Sequence, residues 1–164
     1  MGLKDGHYFQ DDISIIAGSP NNIGLRSDDH GNTHQQASTI GILANSFQAS
    51  GLINTADDRD VFRITLTSST NFRLSAIPQN VGNNNSGADM DIRVTLLNES
   101  GDTLSRYNPM DLLDAGIDTN LNSATYYLVV EGVGNANLLD YGSLGFYTLT
   151  GTLADIGVLA VNHL

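Results

Sequence analysis

The stretch Asp60–Ile77 reads DVFRITLTSSTNFRLSAI, and its alternation decides the fold class. In its first half Val61, Arg63, Thr65 and Thr67 fall on one side of an extended chain, and Phe62, Ile64 and Leu66 fall on the other. A period of two with one apolar side marks a strand that is wet on one face and buried on the other. From Asn71 to Ile77 the pattern repeats, with Phe72, Leu74 and Ala76 in phase. The polar link Ser68–Asn71 predicts a hairpin between the two strands, and Pro78, which cannot donate to a ladder, ends the second.

Working outward, Asp91 to Leu97 is the next predicted strand, Glu99 to Asp102 a turn, and Thr103 to Tyr107 its partner. Pro109 to Asp114 reads as a helical turn or a loop. Ala115 to Leu121, Ala124 to Glu131 and Gly145 to Leu153 follow as strands, while upstream Ala37 to Leu43 and Gly51 to Asn54 read as short strands around a loop. Asn80 to Ala88, rich in Asn and Gly, is an exposed loop. No amphipathic helix is long enough for a crossover between parallel strands. The expectation is therefore all-β: an antiparallel β-sandwich, jelly-roll-like, of about eight strands. Residues 28–153 carry it. In residues 1–27 the apolar run Ile13 to Ala17 reads as a short strand before the turn cluster Gly18–Asn22, which makes this segment a linker or a remnant of something upstream. Residues 154–164 form a tail or linker.

Composition agrees. The chain has 164 residues, enough for one domain, with sixteen Asp, seventeen Asn and only two Glu, residues that favour turns over helices. Seven basic residues against eighteen acidic ones give a net charge of −11, which excludes nucleic acid and anionic membrane as partners and favours a cationic ligand or a metal. Without Cys there is neither a disulfide framework nor a thiol nucleophile. No stretch approaches the eighteen apolar residues of a membrane span, and the N-terminus MGLKDGHYFQDD has no apolar signal core. The chain is then cytoplasmic or part of a longer precursor.

Catalytic chemistry has little to work with. The four His have no nucleophile elbow beside them, and His30-x3-His34 has Gly31 where a metalloprotease helix needs Glu. What stands out is paired acid: Asp11-Asp12, Asp28-Asp29, Asp57-Asp58-Arg59-Asp60 and Asp89-Met90-Asp91. Neighbouring carboxylates repel unless a cation lies between them, and irregular loops of Asp and Asn supply the oxygens that calcium takes. Asp28, Asp29, Asn32, Asp58 and Asp60 are the candidate ligands. The alternative, that these acids cap turns and keep the surface soluble, stands beside it.

Four blocks in order then carry a resemblance. They are Asp28–Thr33 leading through Gly51-Leu52-Ile53 to Asp58–Ile64, Asp89–Ile92 with Leu96–Gly101, Ala124–Gly132, and Asp140–Tyr147. Together they resemble the bacterial pre-peptidase C-terminal domain over residues 28–153, with Ala124 where that family has Gly. Gly6–Phe9 with Asp11–Ile16 is similar to the end of the metallopeptidase catalytic region that precedes such domains. The resemblance implies a non-catalytic β-sandwich carried by a secreted bacterial metallopeptidase, acting in binding of protein substrate or in secretion and maturation. It is similar to the collagen-binding modules of collagenases, in which acids bind calcium, and implies that role for Asp28, Asp29, Asn32, Asp58 and Asp60; Asp91 is then a strand-end acid, and His30 is a poor calcium ligand. Implied partners are the parent catalytic domain and an extracellular protein or polysaccharide, met by a monomer. Tyr107, Tyr127 and Tyr141 are candidate contacts, since Tyr is enriched at interfaces, although alternate strand tyrosines also serve as packing. A carbohydrate-binding sandwich is the competing class, and the absence of Trp counts against it.

Overall fold

The β-branched and aromatic runs form strands as expected, and the way they are shared between two sheets positions the acids. The computed structural model describes residues 2–4, 7–9, 11–80, 87–135 and 140–156. The first strands, β1 (Gly2–Lys4) and β2 (His7–Phe9), pair as a separate antiparallel ribbon. One five-stranded sheet has the order β3 (Ser38–Thr39), β5 (Asp60–Thr65), β10 (Thr125–Val133), β7 (Asp91–Leu97), β8 (Thr103–Tyr107). The facing four-stranded sheet runs β4 (Ser46–Ile53), β11 (Gly145–Asp155), β6 (Thr70–Pro78), β9 (Ala115–Leu121). All pairings are antiparallel except β3 with β5. The sandwich thus has nine strands, and β11 extends two residues past the expected end at Leu153.

The expected hairpin across Ser68–Asn71 is not there. Strand β5 pairs with β3 and β10, whereas β6 pairs with β11 and β9, so the link carries the chain from one sheet to the other. Both strands have an apolar side to bury. Placed face to face they bury Phe62, Ile64 and Leu66 toward the same core as Phe72, Leu74 and Ala76. Alternation in sequence says which side of a strand is buried, but not which sheet the strand joins. By contrast, the β7–β8 hairpin is as expected, with a bulge at Leu96/Leu97.

Two further differences lie upstream. Ile13–Ala17 belongs to a short helix, α1 (Asp12–Ala17), because Asp11 caps it by accepting from the Ser14 amide at 3.0 Å. Strand β4 begins at Ser46, five residues before the expected Gly51. Its start is set by a two-residue turn in which Leu43 and Ser46 exchange backbone hydrogen bonds of 2.8 and 3.0 Å. Ala44 (φ 49°) and Asn45 (φ 60°) both adopt the left-handed conformation that such a turn requires. Ala is a poor choice there, so Ala44→Gly is expected to raise stability by about 0.5–1 kcal/mol, read as a higher urea midpoint with an unchanged slope.

Residues 109–114 form a loop with a turn at 110–111, the second of the two expected readings. Most of the Asn80–Ala88 loop (81–86) and of the tail (157–164) falls outside the described residues. Phe62 meets Tyr147 edge-on at 6.5 Å across the sandwich, and Phe47 stacks on Phe72 at 5.3 Å. Burying each of these rings is worth about 1.5–3 kcal/mol.

Candidate metal centre

Strand β5 opens with Asp60, whose side chain alternation directs inward, and it is preceded by the tight turn that buries Asp58. The segment Asp28–Asn32 crosses this strand end. Its hold is mostly backbone to side chain: Asp29 Oδ1 accepts from the Leu52 amide at 3.1 Å, Asn32 Oδ1 from the Arg59 amide at 2.8 Å, and the Gly31 carbonyl from the Val61 amide at 3.1 Å. Asp28 Oδ1 accepts from the His30 amide at 3.1 Å, closing an Asx turn.

The five expected ligands divide by role. Asp28, Asp58 and Asp60 each bring a carboxylate oxygen to within 4.8 Å of the other two. Asp29 belongs to an adjoining group with His30 and Asp60 under the same limit. Asn32 braces the loop through Arg59. Asp58 is 3% exposed and Asp60 fully buried, and Oδ1 of each has no hydrogen-bond partner among the described residues. Their other oxygens are held, Asp58 Oδ2 by the Asn54 amide at 2.8 Å and Asp60 Oδ2 by the Tyr147 hydroxyl at 2.5 Å.

Two buried carboxylate oxygens without donors, beside a third carboxylate, are costly as anions. Burial pushes Asp60 up to about 7, against the lowering effect of the Tyr147 hydroxyl, with Asp58 and Asp29 adding repulsion. Burial likewise raises Asp58, and Asp28 adds to it. The donor set is hard oxygen, which suits calcium. His30 does not compete as a ligand: Nε2 lies 2.9 Å from the Ser50 carbonyl, to which it must donate, and Nδ1 lies 2.7 Å from Ser38 Oγ. The residues therefore fit a hard divalent cation held by Asp28, Asp58 and Asp60, with Asp29 beside them.

Tyr147 is the member that the sequence reading did not place at this site. It lies on β11, in the opposite sheet, 1% exposed, and reaches Asp60 through the space left by Gly51, where a Cβ would collide with both the Tyr147 hydroxyl and Asp60 Oδ2. A signal existed: Tyr147 shares the inward phase of Leu149, and a buried Tyr hydroxyl requires a partner. Replacing it by Phe removes the donor to a buried carboxylate. Tyr147→Phe is expected to cost about 2 kcal/mol in calcium-free protein at neutral pH and to raise the Asp60 titration midpoint, as followed by carboxyl-carbon NMR.

The other sequence candidates lie elsewhere. Asp91 opens β7 and is fully buried; burial raises it, with Asn135 opposing, and its backbone is clamped by Ser143 Oγ at 2.7 and 3.1 Å. Tyr107 is half-buried against the core, and Tyr127 lies on the outer face of the five-stranded sheet with the His34 ring 5.6 Å away. The Tyr141 hydroxyl accepts from the Ile13 amide at 2.8 Å and donates to Asp11 at 2.9 Å, tying the N-terminal segment to the sandwich. No helix among the described residues is long and apolar enough to cross a membrane.

No protein family and no curated protein matches the chain in sequence. Among solved structures, the chain is similar to the pre-peptidase C-terminal domain of collagenase from Bacillus anthracis, at 18% identity and a TM-score of 0.50 over 75% of this chain and 99% of that one. A periplasmic inhibitor of g-type lysozyme, PliG from Aeromonas hydrophila, gives 11% identity and a TM-score of 0.42 over 71% of this chain and 95% of that one. A fucose-binding module from Streptococcus pneumoniae gives 12% identity and 0.33, over 67% and 70%. The first of these shows the fold: this chain has the β-sandwich of a pre-peptidase C-terminal domain.

Proposed function

We propose that the chain is a non-catalytic, calcium-stabilised accessory domain of a secreted bacterial metallopeptidase, serving to bind protein substrate or to assist secretion and maturation. One observation carries the calcium: the donorless, buried Oδ1 atoms of Asp58 and Asp60 within reach of Asp28. Without a cation, the desolvation of these groups is uncompensated. With one, the Oδ1 atoms of Asp58 and Asp60 gain a partner, and the segment 28–32 is cross-linked to the start of β5 and, through Tyr147, to the opposite sheet. The fold shared with the collagenase domain supports the accessory role.

Calorimetric titration of EDTA-treated protein tests the metal. Calcium is expected to release or absorb heat with one saturable site, and Asp58→Asn to remove the signal; no heat with wild-type protein would end the calcium reading. Casein turnover by the chain alone would contradict the non-catalytic role. Retention on insoluble polysaccharide and none on insoluble collagen would transfer the binding function to the carbohydrate class.

A further inference from the structure

A cation stands in sequence between two of the buried carboxylates, and its guanidinium pairs with neither. Arg59 separates Asp58 from Asp60, yet among the described residues its one ion pair is to Glu131 Oε1, at 3.0 Å. Strand alternation is the cause. Asp60 opens β5 facing inward, so Arg59 just before it faces the outer side of the five-stranded sheet. There it is level with Glu131 on β10, because the neighbouring Val130 pairs with Asp60. Glu131 in turn pairs with Arg93 on β7, and its Oε2 accepts from Arg93 Nε and Nη2, each at 2.9 Å. Arg59, Glu131 and Arg93 thus form one row across three adjacent strands. Glu131 is 9% exposed and has both carboxylate oxygens engaged, so it is a fixed anchor rather than a solvated surface acid.

Arg59 is therefore held at both ends. Its side chain is tied to Glu131, and its amide donates to Asn32 Oδ1 at 2.8 Å, in the segment that carries Asp28. The residues on either side of it are the two whose Oδ1 atoms are buried without donors. We propose that Arg59 is a positioning residue of the calcium site, acting from the outer face of the sheet with Glu131 as its anchor. The clamp fixes the backbone between Asp58 and Asp60, and so the separation and direction of their carboxylates. It also keeps a long cationic arm turned away from acids that a divalent ion would have to share with it. This role rests on the calcium reading above and deepens it by naming what holds the ligands in place.

Calorimetric titration of the full chain, stripped with EDTA and desalted, is the test, with calcium as the titrant. Arg59→Met is expected to bind calcium about tenfold more weakly than wild type, the low end of what a metal site loses with an outer partner of its ligands. The sign separates positioning from charge, since deleting a positive charge beside a cation site would tighten binding if charge alone acted. Glu131→Gln is expected to lose more, because it loosens the turn and also releases the guanidinium toward the acids. Arg59→Lys, which keeps the charge without the planar fork, is expected to fall between Arg59→Met and wild type. Asp118→Asn, which breaks the exposed pair with Arg73 at 3.0 Å on the opposite sheet, is expected to leave affinity unchanged. Wild-type protein supplies a reading that needs no variant: calcium is expected to move the NMR resonances of the Arg59 and Arg93 Nε–H groups and to leave that of Arg73 in place. Unchanged or tighter binding in Arg59→Met, equal loss in Asp118→Asn, or Arg59 and Arg93 resonances that stay fixed while calcium binds would overturn the proposal and leave the metal site standing. Wild-type protein that binds no calcium would remove the metal reading itself, and this role with it.

Discussion

Chelating calcium with EDTA at neutral pH is expected to lower the melting temperature by roughly 10–15 °C, and re-adding calcium to restore it. A ligand present at about a thousand times its dissociation constant stabilises by about 4 kcal/mol, and 1 kcal/mol moves the midpoint of a domain this size by about 2–8 °C. The size follows from what the ion would neutralise: three carboxylates within 4.8 Å of one another, two of them buried. Asp60→Asn separates this from a general salt effect. The variant is expected to lose the calcium response while its EDTA form melts no lower than that of wild type at pH 8, because the substitution removes a buried, repelled anion while the amide oxygen can still accept from Tyr147. An unchanged melting temperature on chelation would refute the metal site. A variant that still gains stability with calcium would show that Asp60 is not a ligand.

Much of this site was legible in the chain. The paired Asp at 28–29 and 57–60 marked local clusters of negative charge as a candidate cation site, and the alternation from Asp60 onward fixed which side of β5 faces inward. The inward direction of Asp60 itself followed from the same phase as Phe62 and Ile64. What could not be read was contact between distant segments. That Tyr147 reaches Asp60 depends on which strands face each other across the core, and the misread Ser68–Asn71 link shows how little a short polar turn says about that. His30 was read as a poor calcium ligand, and its role as a brace between Ser38 and Ser50 needed the fold. Ile13–Ala17 was read as a strand from its branched residues, although six residues can be turned helical by one cap such as Asp11.

The pH dependence of the calcium-free protein is expected to run opposite to that of an ordinary salt-bridged carboxylate. Asp60 titrates near 4 when unfolded and is pushed up to about 7 in the fold by burial, with Asp58 and Asp29 raising it further and Tyr147 and His30 opposing. Between these two values the folded state holds a proton that the unfolded state has released. Stability contributed by this group is therefore fully present below about pH 4 and is lost as pH rises toward about 7, by about 4 kcal/mol at 1.36 kcal/mol per unit. Asp58, also raised by burial, acts in the same direction. Saturating calcium reverses the slope, because the ion binds the deprotonated carboxylates and displaces their protons. Thermal melts in EDTA at about pH 5 and pH 8 are expected to show the protein more stable at the lower value; with calcium present the order inverts, and in Asp60→Asn the EDTA difference shrinks to what Asp58 contributes. An EDTA form most stable at pH 8 would mean that these carboxylates are solvated or paired in the calcium-free fold, and that no cation is needed to hold them.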